Sequence, residues 1–100
     1  MPARDPLSDD AIDGALPDGW RRQSAGAGNA IVAEFAFDDF RTAWAFLTRV
    51  AFEAEGMDHH PEITNVYGTV RLALATHDAG DRVTETDLAL ARRIAALPGA

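Results

Sequence analysis

The sequence contains no cysteine, no lysine and no long hydrophobic run. Without cysteine, neither a disulfide nor a thiolate metal site can form. The nine basic residues are all arginines, and against 16 acidic residues they leave a net charge of −7, so an acidic surface that disfavours direct nucleic-acid binding is expected. No apolar run approaches the roughly 20 residues that span a bilayer, and residues 1–10 lack the apolar segment of a signal peptide. The sequence therefore predicts one domain, residues 1–100, that is cytoplasmic and makes no membrane contact.

The first third of the chain predicts a short helix and a β-hairpin. Ser8 can cap a helix that runs to about Leu16, and the proline and glycine that follow end it. Residues 20–23 and 30–37 have the character of strands, the second with apolar side chains on one face. The Gly- and Asn-rich residues 25–29 between them suit a turn.

A long helix is predicted next, capped by Asp38 and running to about Glu55, because Gly56 is well placed to terminate it. One apolar stripe at helical spacing is expected to face the core. It comprises Phe40, Ala43, Trp44, Leu47, Val50 and Ala51.

A second hairpin and a last helix complete the predicted fold. Its strands span residues 63–67 and 69–76 around Gly68, and Thr84 with Asp87 forms a variant of the capping box. The order α-β-β-α-β-β-α contains two hairpins and no parallel crossover. It predicts an α+β domain, in which a four-stranded antiparallel sheet has helices packed on one face.

All three histidines of the chain fall in one region, His59 and His60 before the second hairpin and His77 after it. Strand pairing centred on Gly68 places His59 opposite His77, and a two-residue turn shifts this to Asp58 opposite His77. In either register the three histidines are neighbours. Because histidine changes charge near neutral pH, such a cluster suits general acid–base catalysis.

Other interpretations of this cluster stay open at this point. The histidines could be polar residues at a hairpin end, or they could bind a metal, although their spacing is neither His-x-His nor His-x-x-x-His. Glu55, Asp58 and Asp78 adjoin them in the sequence. These carboxylates could raise the pKa of the histidines and fix their tautomers, or they could belong to a solvated acidic surface.

Several different short motifs are distributed along nearly the whole chain at a characteristic spacing. They are Gly19-Trp20, Phe35-x-Phe37-x-Asp39-Phe40, Leu47-Thr-Arg-Val-Ala51, Asp58-His-His-Pro-Glu62, Asn65-Val-Tyr67, Thr76-His77 and Asp87. Together they resemble the pterin-4a-carbinolamine dehydratase family, whose fold is a four-stranded antiparallel sheet with helices on one side.

The resemblance implies a dehydratase that removes water from 4a-hydroxytetrahydrobiopterin, the carbinolamine left by aromatic amino-acid hydroxylases, and releases quinonoid dihydropterin. It implies a pterin as the small-molecule substrate, no metal or redox cofactor, and a homodimer or homotetramer. The implied substrate contacts are Asp58, His59, His60, Ala75, Thr76, His77 and Asp78.

Catalytic roles follow from the same resemblance together with the chemistry of imidazole. His59 and His77 are expected to act on the hydroxyl group or N5, and His60 to hold the ring. Glu55, with Asp58 and Asp78, is expected to orient or polarise them. The family often has aromatic residues where this chain has Ile63 and Thr64, so a different pocket wall is expected.

Two alternatives to this function remain. Members of the family in animals also serve as dimerisation cofactors for a transcription factor, so an interaction module with a vestigial site is one alternative. Action on a related pterin in molybdenum-cofactor metabolism is the other.

Overall fold

The computed structural model describes residues 4–100, and in this range the predicted order of helices and strands is confirmed. The elements are α1 (Asp9–Asp13), β1 (Trp20–Ala25), β2 (Gly28–Ala36), α2 (Phe40–Gly56), β3 (Glu62–Val66), β4 (Thr69–Leu74), a 3-10 turn (His77–Ala79) and α3 (Glu85–Ala95). The strands form one antiparallel sheet in the order β1-β2-β4-β3. The α+β prediction is therefore confirmed.

The second hairpin has the two-residue turn that was one of the two predicted registers. Val66 pairs with Thr69, so the turn is Tyr67-Gly68. Gly68 is required there, because a Cβ on it would lie 2.3 Å from the carbonyl oxygen of Phe37. Strand β4 ends at Leu74, earlier than predicted, so the histidines are not part of the paired strands.

The first hairpin is longer than predicted, because Ala25 pairs with Gly28 and the turn shrinks to two residues. Gly28 touches the loop that precedes α3, and a Cβ on it would meet the carbonyl oxygen of Asp81 at 2.1 Å. Asn29 is buried beside it, and its side chain accepts a hydrogen bond of 2.8 Å from the backbone of Val83. The start of β2 thus fixes the loop that carries Asp81.

The core lies between one face of the sheet and the three helices. The sheet contributes Ile31, Ala33, Val70, Leu72 and Leu74, and α3 contributes Leu88, Leu90, Ala91 and Ile94. Ile12 of α1 closes one end. No helix in the described part of the chain is long and apolar enough to cross a membrane.

The predicted start and stripe of α2 are wrong in part. Its N-cap is Asp39, whose carboxylate accepts a hydrogen bond of 2.8 Å from the backbone N–H of Thr42. Its buried residues are Ala43, Phe46, Leu47, Val50 and Ala54. The helix has apolar residues on almost every side, so periodicity alone allowed two stripes. Packing selects the stripe that includes Phe46, whose ring contacts those of Phe35 and Phe37.

As a consequence, the other stripe of α2 is exposed. Phe40 and Trp44, both expected in the core, are 52% and 56% exposed, and Ala51 is exposed beside them. Exposed apolar patches of this kind are more often interaction surfaces than surfaces that stay in contact with water.

Candidate functional site

His59 is the buried member of the histidine cluster. It follows α2 in a turn in which its backbone N–H donates to the carbonyl of Ala54 at 3.0 Å, and Asp58 before it has a positive φ of 49°. The residue is 6% exposed. Its Nε2 lies 2.5 Å from Oδ1 of Asp87, so the ring orientation is set by a residue from α3.

Asp87 is fully buried in the first turn of α3, and both of its carboxyl oxygens have partners. Oδ2 accepts hydrogen bonds of 2.8 Å from the backbone N–H of Thr84 and from the hydroxyl of Thr76. The two threonine hydroxyls lie 2.6 Å apart. A buried carboxyl group needs such partners to offset its lost hydration. A carboxylate oxygen can only accept, so with Asp87 as a carboxylate Nε2 of His59 carries the hydrogen and Nδ1 is left for another partner.

His60, unlike His59, is exposed. Its Nε2 lies 2.8 Å from Oε1 of Glu55 in the last turn of α2. The two side chains are 59% and 77% exposed. Glu55, which was expected from the sequence to orient a histidine, thus lies in contact with His60.

His77 begins the 3-10 turn after β4, and its side chain is 93% exposed. Its Nδ1 lies 3.0 Å from Oδ1 of Asp81. This hydrogen bond, and then the charge of Asp81, raise the pKa of His77 above its ordinary value of 6.5. Asp78, which was expected to orient a histidine, instead lies 3.9 Å from the guanidinium of Arg4 and adds only a minor charge effect on His77.

The three histidines line one depression of about 250 Å³. Its walls are Arg4, Asp58, His59, His60, Ala75, His77 and Asp78. Six of the seven expected substrate contacts are among them. Thr76, the seventh, is fully buried and bonded to Asp87, so its contribution is indirect.

A wider hollow of about 400 Å³ adjoins this depression on the sheet face opposite the helices. It shares His60, Ala75 and His77 with the depression, and Ala30 and Ala73 belong to its walls. The alanine side chains leave room above the sheet. A flat ring could therefore lie on the sheet with its edge against the histidines.

Three residues of this region were not among the predicted site residues. Asp81 lies four positions after His77, a spacing that brings side chains together in a helical turn, and Asp87 was noted only as a cap and as part of a motif. Arg4 gives no signal in the sequence. Within residues 4–100, no three His, Asp or Glu side chains are grouped so that they could hold a metal ion.

The effect that Ile63 and Thr64 were expected to have on the pocket wall stays a prediction. Neither residue lines the depression or the wider hollow. Ile63 lines an apolar groove against α2 instead, and Thr64 pairs with Arg71 at the edge of the sheet.

Comparison with known proteins identifies the family. The family described as Pterin 4 alpha carbinolamine dehydratase matches residues 5–97. The chain belongs to this family. A relative from Mesorhizobium japonicum, itself named only provisionally as a pterin-4-alpha-carbinolamine dehydratase, is 50% identical over 91% of this chain and 92% of its own length. A similarly named relative from Nitrobacter winogradskyi is 51% identical over 91% of this chain and 89% of its own.

Two solved structures of related proteins differ in the roles that they are given. A protein of Brucella melitensis described as a transcriptional coactivator/pterin dehydratase has a TM-score of 0.78 and 40% identity, covering 90% of this chain and 95% of its own. A pterin dehydratase-like protein identified as a RuBisCO assembly factor in the α-carboxysome has a TM-score of 0.66 and 29% identity, covering 82% and 92%. Membership of the family is thus compatible with more than one role.

Proposed function

We propose that this protein is a dehydratase that converts 4a-hydroxytetrahydropterin to quinonoid dihydropterin and water. The observation that carries the proposal is the set of three imidazoles at one depression, each within 3.0 Å of a carboxyl oxygen. Such pairs supply what acid–base chemistry needs, namely oriented groups that exchange protons near neutral pH.

The reaction requires one proton to be given and one to be taken. The bond between C4a and the hydroxyl oxygen breaks as that oxygen accepts a proton and leaves as water. The N5–H proton passes to a base, and its bonding electrons form the new N5–C4a double bond. The acid loses one proton and the base gains one, so the two groups together carry the same number of protons after the reaction, and a proton transfer through water returns each to its starting state.

The two pairs around the depression suit different steps. His77 has a raised pKa, so a larger share of it is protonated near neutrality, which suits the acid that protonates the leaving oxygen. His59 is held by Asp87 in one tautomer, which leaves Nδ1 as the base for the N5 proton. His60, with Glu55, holds the ring, and Asp58, Ala75 and Asp78 complete the expected substrate contacts.

Turnover of freshly generated carbinolamine by the purified protein tests the proposal, because the intermediate also dehydrates slowly by itself. We expect a rate well above the background measured without protein and with heat-unfolded protein. A rate equal to that background would exclude the dehydratase. Treatment with EDTA should leave the rate unchanged, since no metal is expected to take part.

The second candidate function is an interaction module with a vestigial site. It is favoured by the exposed apolar side chains, which the dehydration chemistry does not use. They are Phe40, Trp44, Phe52, Ile63, Val66 and Tyr67. The solved relative named as an assembly factor fits the same reading. Absence of turnover in a folded protein would favour it.

Self-association is part of the proposal, as a homodimer or homotetramer without nucleic acid. The support is again the exposed apolar surface, which a second copy would remove from water. Sedimentation at micromolar concentration tests it, and a monomer would contradict it. The cytoplasmic location and the possible use of a molybdenum-cofactor pterin stay predictions.

A further inference from the structure

We propose that Glu62 selects the pterin ring by accepting hydrogen bonds from the two parallel N–H groups of its 2-amino-4-oxo edge. The assignment rests on the proposed function, because it takes the reacting atoms C4a and N5 to lie at the histidines. It adds what that function leaves open, namely how the protein recognises the half of the ring system that does not react.

Glu62 lies in the wall of the wider hollow. It is the first residue of β3, and it pairs with Ala73 of β4. Since directly paired residues point to the same face of a sheet, Glu62 stands beside the methyl group of Ala73 on the face opposite the helices. Ile63, the next residue of β3, lines the groove against α2 instead, as the alternation of side chains along a strand requires.

The carboxylate of Glu62 is free to bind a ligand. Within residues 4–100 its side chain takes part in no hydrogen bond and no ion pair, and the residue is exposed. The second carboxylate in the walls of the hollow belongs to Asp81, and its Oδ1 already lies 3.0 Å from Nδ1 of His77. Glu62 is therefore the unengaged carboxylate of this hollow.

The hollow and the histidine depression would receive different parts of a pteridine. They share His60, Ala75 and His77, so a ring with C4a and N5 at the histidines extends over Ala73 into the hollow. In the pyrimidine half of the ring system, C2 stands directly across from C4a. The 2-amino group and the neighbouring N3–H therefore point away from the histidines, into the hollow that Glu62 borders.

The chemistry of this edge matches a carboxylate. The 2-amino group and N3–H are parallel donors, and the two oxygens of one carboxylate can accept from both. Pteridine-2,4-dione (lumazine) has the same ring shape, but a carbonyl oxygen replaces the amino group at C2. That oxygen would face a carboxylate oxygen with no hydrogen between them. A carboxylate at this position thus favours pterins over pteridinediones.

Exchange of Glu62 for Gln tests the assignment as an inversion of preference. The side-chain amide of glutamine offers one acceptor and one donor group, which matches the N3–H and the C2 carbonyl of lumazine and mismatches pterin. The probes are pterin and lumazine themselves, titrated by their fluorescence at a pH where both rings are uncharged. Because the rings are uncharged and of equal size, the ratio of their Kd values cancels the general effect of removing a charge from the protein.

We expect the native protein to bind pterin at least about 10-fold more tightly than lumazine, since a hydrogen bond to a charged acceptor is replaced by a repulsion. In Glu62→Gln the order should reverse. Glu62→Asp, which keeps the carboxylate on a shorter side chain, should still favour pterin. The control is Glu34→Gln, which makes the same change on the same sheet face outside the hollow, and it should keep the native ratio.

Several outcomes would overturn the assignment. They are a native protein that binds neither ring or binds both equally, a ratio of Kd values that Glu62→Gln leaves unchanged, and a control that changes the ratio as much as Glu62→Gln. Circular dichroism and urea unfolding check the fold of each variant. Because Glu62 has no side-chain partner within residues 4–100, its variants should unfold like the native protein.

Kinetics provide a separate readout. In Glu62→Gln we expect KM for the carbinolamine to rise about 10-fold while kcat stays within about 3-fold, because the edge that Glu62 holds takes no part in the bond changes. A fall in kcat with unchanged KM would exclude this positioning. If the native protein bound pterin selectively without turnover, the proposed function would fail and the assignment of Glu62 would stand. Native turnover with a ratio of Kd values that Glu62→Gln does not change would leave the proposed function intact and exclude the assignment.

Discussion

Two imidazole–carboxyl pairs border the same depression, and they differ most in their burial. The side chains of His59 and Asp87 are 7% and 0% exposed, whereas those of His77 and Asp81 are 93% and 67% exposed. The buried pair lies within a network that joins three parts of the chain through Thr76 and Thr84. The exposed pair lies within one short turn. The same chemical pairing is therefore built into the packed framework at one position and lies open to water at the other.

The physical reason for the difference is the cost of leaving a group unpaired. Removal of one partner from a buried pair leaves the other without water or a hydrogen bond, which costs about 3–5 kcal/mol. An exposed partner simply returns to water, so such a pair contributes little to stability. Within residues 4–100, no buried side-chain nitrogen or oxygen lacks a hydrogen-bond partner, so the buried network has no spare group to compensate a loss.

The largest effect is expected for Asp87→Asn. The amide keeps the size of the carboxyl group, but its NH₂ group cannot accept the hydrogen bonds that one oxygen accepts now. We expect the free energy of unfolding, measured with urea, to fall by about 3 kcal/mol or more.

The matched control for that variant is Asp81→Asn, which makes the same chemical change in the exposed pair. Asp81 has a positive φ of 58°, and asparagine tolerates this conformation. Its unfolding free energy should stay within about 0.5 kcal/mol of the native value. Equal losses of unfolding free energy in the two variants would show that burial does not determine how much each pair contributes to stability.

The next largest effect concerns turnover in His77→Ala. We expect kcat to fall by about 100-fold or more if this imidazole protonates the leaving oxygen, with the unfolding free energy almost unchanged. His59→Ala should lose a similar factor in kcat and also about 2–4 kcal/mol of stability. Comparison of both quantities in both variants distinguishes a chemical role from a framework role. Native turnover in the double variant would contradict the acid–base mechanism.

This prediction differs from what the sequence alone suggests. Because none of the histidines lies on an apolar stripe, the sequence predicts a fold that survives all three replacements. The burial of His59 depends on Asp87, which lies 28 positions away, and no local pattern reports such a contact. The hairpin spacing did bring the histidines together, because strand pairing is regular. The directions of their side chains could not be predicted, since they lie beyond the paired strands.

A smaller effect is expected for His60→Ala, whose role is to hold the ring. KM should rise about 10-fold while kcat stays within a few-fold of the native value. Glu55→Gln, which keeps the shape but removes the charge of the partner of His60, should change KM in the same direction by less. A fall in kcat with unchanged KM would instead place His60 in the chemical step.

The order of the elements was easier to predict than the orientation of α2. Caps and turns such as Ser8, Gly68 and Thr84 act through local backbone chemistry, and each is where the sequence predicted it. The stripe of α2 depends on which apolar side the sheet accepts. Trp44 was expected in the core for this reason, and its exposure was visible only after packing was known.

The smallest effect is the pH dependence of the exposed pair in Asp81→Asn. Asp81 raises the pKa of His77 above 6.5, so the pair stabilises the fold fully below about pH 6.5, and this contribution is lost as the pH rises through the raised pKa. Native protein and variant should therefore differ slightly in stability at low pH and converge at high pH. NMR titration of the imidazole should show a lower pKa for His77 in the variant. If His77 is the general acid, the fall of kcat/KM at high pH should begin at a lower pH in the variant. If the pKa of His77 in the variant stayed the same or rose, Asp81 would not be the cause of the raised pKa of His77.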